Sequence, residues 1–83
     1  MKKILYFTAD WCQPCQSFGP VIQEVVREGI SVQKINVDEN KDYTARYQVR
    51  SVPTCIYLKD GIEIARRTGV DSKQTIMRTF NLI

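Results

Sequence analysis

Two of the chain's three cysteines, Cys12 and Cys15, stand three residues apart, with Gln13 and Pro14 between them and Trp11 before them. Cysteines at this spacing ligate a metal, staple a loop, or work as a dithiol that is reversibly oxidised. A structural zinc site needs about four ligands. The chain has no histidine and no second close pair, only Cys55 far along the sequence, so a zinc site is disfavoured. Covalent haem attachment wants histidine directly after the second cysteine, and Gln16 is there instead. As a staple the pair would close a loop too short to remove much unfolded-state entropy. A working dithiol is the strongest of the three readings, although an inert buried thiol remains open for Cys15 alone.

What each sulfur can do depends on the elements that carry it. Lys3 to Thr8 is a short apolar run bounded by Ala9-Asp10, and Ser31 to Val37 is a second, closed by Asp38-Glu39-Asn40; both read as strands. Between them Cys15, Phe18, Ile22, Val25 and Val26 recur at spacings of three and four, the buried stripe of a helix. Pro20 is expected to kink this helix and Gly29 to stop it. A short helix is expected over Lys41 to Tyr47, with Asn40 as N-cap and Tyr43 and Tyr47 one turn apart. Thr54 to Leu58 and Ile62 to Thr68 flank Lys59-Asp60-Gly61, and Asp-Gly between β-rich runs is a strong hairpin signal. A last helix starts near Asp71 or Ser72, where Asp71 and Gln74 look like a capping box, and should bury Ile76, Met77 and Phe80. The order β-α-β-α-β-β-α predicts one α/β domain over residues 1–83, with the first two strands parallel and a mixed sheet covered on both sides.

On this map Cys12 ends a strand and starts a helix, whereas Cys15 opens the buried stripe. Unpaired N–H groups and the positive end of the helix dipole converge on Cys12, which is expected at an exposed position, and both favour a thiolate. Pro14 has no N–H, so the Cys15 amide is the natural donor to the Cys12 sulfur. Lowering a thiol pKa from about 8.5 to about 7 raises its thiolate fraction at neutral pH about 16-fold, yet weaker nucleophilicity removes about 5- to 6-fold. The net gain is about threefold. The larger advantage is the adjacent Cys15, which can resolve a mixed disulfide within the molecule.

Bulk properties narrow the function further. Twelve Lys plus Arg against nine Asp plus Glu give a net charge of +3, and the basic residues are scattered, which gives little support for nucleic-acid binding. Only four apolar or aromatic residues, Ile4 to Phe7, follow Met-Lys-Lys before Thr8, too few for a signal-peptide core or a membrane span, so no membrane partner is expected and the cytoplasm is the default location. Three cysteines cannot all pair within one chain, unlike the frameworks of small secreted domains.

The motif Trp11-Cys12-Gln13-Pro14-Cys15 after a strand, with Ser51-Val52-Pro53-Thr54 before a later one, resembles the thioredoxin family. The similarity extends through Lys34-Ile35-Asn36-Val37-Asp38, Lys59-Asp60-Gly61 and Thr68-Gly69, and includes Pro20. It begins at what would be the second strand of a full-length member, as in compact, glutaredoxin-sized relatives of bacteria and phages, which implies a minimal thioredoxin fold with a four-stranded sheet of order 2-1-3-4. The resemblance also implies a cis Val52-Pro53 bond against the thiols, where residues alone leave a trans proline opening an edge strand. It implies main-chain pairing of Val52 with an extended substrate and an apolar rim of Trp11, Pro53, Gly69 and Val70.

The implied activity is that of a cytoplasmic, monomeric protein-disulfide reductase with Cys12 as nucleophile and Cys15 as resolving thiol. No cofactor would be held; electrons would come from NADPH through a thioredoxin-reductase-like flavoprotein. Disulfide-bearing proteins would be the substrates, ribonucleotide reductase among the family's examples. A glutathione-recycled reductase and a non-catalytic subunit of the same fold are the alternatives, the first drawing on the Thr68 to Ser72 stretch as a place for glutathione's carboxylate. This chain departs from the family at Tyr6, where a buried aspartate is usual, leaving Lys34 without that partner. It departs again at Thr8, where a second tryptophan is usual, and at Gln13, where glycine is common. Tyr6 and Lys34 read more simply as a core residue and a snorkelling side chain, and Cys55 as a small core residue.

Overall fold

The computed structural model describes all residues from Met1 to Ile83. The elements follow in the order β1 (Lys2–Thr8), α1 (Gln13–Arg27), β2 (Val32–Asn36), α2 (Lys41–Arg46), β3 (Thr54–Lys59), β4 (Ile62–Thr68) and α3 (Lys73–Leu82). They build a four-stranded sheet of order β2-β1-β3-β4, with β1 parallel to β2 and antiparallel to β3, and β3 antiparallel to β4. This is the expected minimal thioredoxin-like topology.

The two central strands are covered on both faces, which is why their sequences are near-continuous apolar runs rather than alternating ones. Side chains still divide by the period of two. Ile4, Tyr6, Cys55 and Tyr57 face α1 and α3, packing with Phe18, Ile22, Val25 and Ile76. Leu5, Phe7, Ile35, Ile56 and Leu58 face α2, whose Tyr43 and Tyr47 stack with ring centroids 5.8 Å apart. Both tight reversals use left-handed backbone: Gly29 at φ 90° ends α1, and Asp60-Gly61 at φ 52° and 82° turn the hairpin.

Several local expectations are corrected. Val26 is half exposed, because Ile22 and Val25 already fill the contact between α1 and the sheet and Val26 is turned onto a shallow surface groove with Val32 and Lys34. Met77 and Phe80 are half-buried at the margin of the core. The cap of α3 is Ser72, whose hydroxyl accepts from Thr75 N at 3.1 Å, while the Asp71 carboxylate is drawn off by Arg67 at 2.6 Å. Asn40 precedes α2 but makes no side-chain cap; its amide donates to Asn36 O at 3.0 Å. Pro20 lies inside α1 as read from the sequence and costs the helix one backbone donor.

Cys55 is 3% exposed, and burial pushes its thiol up to about 12, with Asp71 adding in the same direction. Below pH 9 the thiol is neutral whether folded or not. Above it the unfolded chain releases a proton that the folded chain keeps, so stability falls as pH rises. Burial also raises Tyr6 and Tyr57 in the same sense. Urea unfolding at pH 8 and pH 10.5 is expected to show the native chain losing up to about 1.4 kcal/mol per pH unit more than Cys55→Ala. Equal slopes would mean that Cys55 ionises freely.

Candidate functional site

Cys12 is the N-cap of α1: its backbone is extended at φ −90° and ψ 108°, and Pro14 occupies the first turn. The Cys15 amide donates to Cys12 Sγ at 3.2 Å, the donor that remains once Pro14 removes one N–H from the turn. No acidic residue lies in the first turn of α1 to oppose negative charge on that sulfur. The two cysteines are joined as a disulfide, with their α-carbons 5.2 Å apart. The third cysteine is free and buried in β3.

The expected contrast in exposure is not found. Cys12 is 4% exposed and Cys15 3%, so Cys12 is not an open position at the helix start. Ala9, Val37 and Val52 pack around the pair, and Cys12 Sγ lies 3.7 Å from Val52 O. The cover comes from a segment 40 residues away, which no local pattern around the cysteines reveals. What distinguishes the sulfurs is electrostatic direction: the Cys15 N–H points at the Cys12 sulfur, and Cys15 sits one turn inside.

The rim residues are brought together. Val52-Pro53 is a cis peptide. Pro53 is buried, Val52 and Gly69 are half-buried, and Trp11 and Val70 stand out at 68% and 51% exposure. Gly69 N donates to Pro53 O at 2.8 Å, tying the start of β3 to the end of β4, and Gly69 has φ 97°. Trp11 is steadied by its indole N–H, which donates to Asp38 Oδ2 at 2.8 Å. Beside the disulfide, Trp11, Val37, Val49, Val52, Thr44 and Arg50 surround a shallow pocket of about 110 Å³, with Ser51 completing its wall. Sequence reading gave no site role to Asp38, Val37 or Val49; only the meeting of the segments after β2 and after α2 around Trp11 marks them.

Tyr6 lies under the pair. Its ring meets Phe18 edge-on with centroids 5.7 Å apart, and its hydroxyl lies 3.3 Å from Thr8 Oγ1 and 3.4 Å from Cys15 O. Burial raises the Tyr6 pKa against a smaller lowering by Thr8, so the hydroxyl is neutral at ordinary pH and keeps its proton to donate. Lys34, opposite Tyr6 in the β1–β2 register, is exposed and makes no ion pair. Gln13 and Pro14 are exposed on the first turn. No three Cys, Asp or Glu side chains converge in a way that could hold a metal ion.

Comparison with known proteins agrees with this geometry. The family model described as Thioredoxin matches residues 1–81. The thioredoxin of Chlamydia pneumoniae is 38% identical over 77 residues, covering 90% of this chain and 76% of the relative. That of Pseudomonas aeruginosa is 40% identical over 73 residues, 84% of this chain and 68% of the relative. Among solved structures, a mutant thioredoxin from Halobacterium salinarum superposes with a TM-score of 0.92 at 32% identity, covering 98% of this chain and 73% of that one. Thioredoxin-2 of a malaria parasite gives 0.94 at 27%, covering 100% and 84%. With a joined Cys12–Cys15 pair at the start of α1, this sheet order and this agreement along its length, the chain belongs to the thioredoxin family, whose members are thiol-disulfide oxidoreductases that reduce protein disulfides.

Proposed function

We propose that Cys12 is the attacking sulfur and Cys15 the resolving one, in a chain that reduces protein disulfides in a reducing, cytoplasmic compartment. The Cys15 amide at 3.2 Å from Cys12 Sγ is the observation that carries the assignment, because it stabilises negative charge on one sulfur of the pair and not on the other. In the reduced protein the Cys12 thiolate attacks one sulfur of a substrate disulfide, and the substrate's other sulfur leaves as a thiolate and takes up a proton. Cys15 then loses its proton and attacks Cys12, releasing the second substrate thiol. Two electrons have passed to the substrate and the Cys12–Cys15 bond has formed.

The substrate would approach along the rim of Trp11, Val52, Pro53, Gly69 and Val70, pairing its main chain with that of Val52. Gln13 and Pro14 shape the turn between the sulfurs, and Tyr6, neutral and donating near Cys15 O, steadies the inner one. Lys34, exposed and away from the sulfurs, has only a peripheral part. Attack at a sulfur so well covered requires the substrate to displace contacts at Val52, which favours extended segments that can replace them. No helix of the chain is long and apolar enough to cross a membrane.

Re-reduction would come from NADPH through a thioredoxin-reductase-like flavoprotein. The glutathione alternative has no support at the start of α3, where Ser72 already caps the helix and the Asp71 carboxylate lies alongside. Recycling of the oxidised protein by reductase plus NADPH is expected to exceed recycling by glutathione at least about tenfold, read as NADPH consumption against glutathione oxidation. Faster turnover with glutathione alone would overturn the choice of reductant.

A further inference from the structure

We propose that Arg66 is a positioning residue for the segment that receives the substrate, acting through the carbonyl groups that close α2. The inference rests on the dithiol reading above and extends it. Arg66 sits on the edge strand β4, away from the sulfurs. Its Nε and Nη2 donate to the two oxygens of Glu63 at 2.8 and 2.9 Å, a bidentate pairing that fixes the plane of the guanidinium. With the plane fixed, Nη2 also donates to Tyr47 O at 2.6 Å and Nη1 to Gln48 O at 3.5 Å.

Those two carbonyls have no other hydrogen-bond partner in the protein. In the last turn of α2 backbone amides already meet Tyr43 O, Thr44 O and Ala45 O, which leaves Tyr47 O and Gln48 O at the negative end of a six-residue helix. A cation at that end answers both needs. The helix is left through Gln48 at φ 53°, a left-handed conformation that a residue with a Cβ adopts only when its surroundings hold it there.

The next four residues, Val49, Arg50, Ser51 and Val52, form one wall of the pocket opposite Trp11 and Val37, and end with Val52 O 3.7 Å from Cys12 Sγ. The far end of this wall is anchored by Thr54, whose hydroxyl donates to Ser51 O at 2.7 Å, and by Gly69 N on Pro53 O at 2.8 Å. At the near end Arg66 adds to the backbone bonds from Gln48 N to Ala45 O and from Val49 N to Thr44 O. Without it, Gln48 relaxes toward negative φ and the wall carrying the Val52 main chain spends less time in the receiving geometry. Capture of an extended polypeptide suffers, whereas attack on a small disulfide, which needs only the sulfur, does not.

The test compares the full-length protein with Arg66→Ala, using a disulfide-bonded protein and a small aromatic disulfide as substrates and dithiothreitol as electron source, with the uncatalysed rate subtracted. For the protein substrate KM is expected to rise about three- to tenfold, the loss of one or two partly exposed charge-assisted hydrogen bonds, with kcat within about twofold. The rate with the small disulfide should change less than about twofold. Adding Gln48→Gly should recover at least half of the KM loss, because glycine takes positive φ without strain. Arg66→Lys, which keeps the charge but not the fork, should fall between the two and serves if Arg66→Ala unfolds. An unchanged KM with a lowered melting temperature would overturn the proposal and leave Arg66 a structural clamp, and so would an equal loss on both substrates. Failure of the native protein to reduce the small disulfide would instead overturn the dithiol reading.

Discussion

Cys12→Ser is expected to lower protein-disulfide reduction at least about a thousandfold, while Cys15→Ser keeps the first step and stalls after it. A serine hydroxyl at the cap of α1 would still accept the Cys15 amide, so the fold stays intact, but at neutral pH it is not ionised and cannot form a disulfide. With Cys15→Ser the Cys12 sulfur still attacks, and the mixed disulfide has no internal thiol to resolve it. Incubation with an oxidised substrate protein should therefore yield a covalent one-to-one complex, seen on a non-reducing gel and absent with Cys12→Ser. Replacing both members of such a unit should cost little more than replacing Cys12 alone, because the residues act in sequence on one electron pair. Retained turnover with Cys12→Ser, or a trapped complex formed by Cys12→Ser and not by Cys15→Ser, would reverse the assignment of roles.

Phe18→Ala is expected to cost about 3–5 kcal/mol of stability, the range for emptying an aromatic site in a packed core. Phe18 is fully buried, holds the middle of α1 against Ile4, Cys55, Tyr57 and Ile76, and takes the edge of Tyr6. A domain of this size has roughly 4–12 kcal/mol in all, so the loss brings the chain close to unfolding at ordinary temperature. Since α1 carries Cys12 and Cys15, loosening its packing should also weaken the amide-to-sulfur geometry. Urea unfolding of the oxidised and reduced forms measures the first effect, and the rate of Cys12 alkylation in the reduced form follows the second. A loss below about 1 kcal/mol would mean that the site collapses around the cavity, and that α1 is held mainly by Ile22 and Val25.

Most of the architecture is written in local patterns. The three- and four-residue spacing from Cys15 to Val25 makes a helix wherever the apolar stripe finds a surface, and Asp60-Gly61 turns the chain because few other residues accept left-handed backbone there. The short loop from Thr8 to Gln13 forces Cys12 to the junction of strand and helix. Local patterns also misled. Val26 continues the stripe in sequence but lies half exposed, because Ile22 and Val25 already fill the contact between α1 and the sheet. Asp71 and Gln74 have the spacing of a capping box, yet Arg67, across the turn from β4, takes the carboxylate and Ser72 becomes the cap.

By itself the sequence determined the type and order of the elements, the joint that brings two sulfurs within bonding reach, and the single amide able to favour one of them. Tertiary structure alone decided that Cys12 is covered by Val52 rather than open, that Trp11 is steadied by Asp38, and that Arg66 reaches the end of α2. The division has a physical cause. Periodicity, capping and turn chemistry act over a few residues, whereas these contacts join groups 19 to 40 residues apart, whose meeting depends on the register and twist of a sheet that exists only once all four strands are paired.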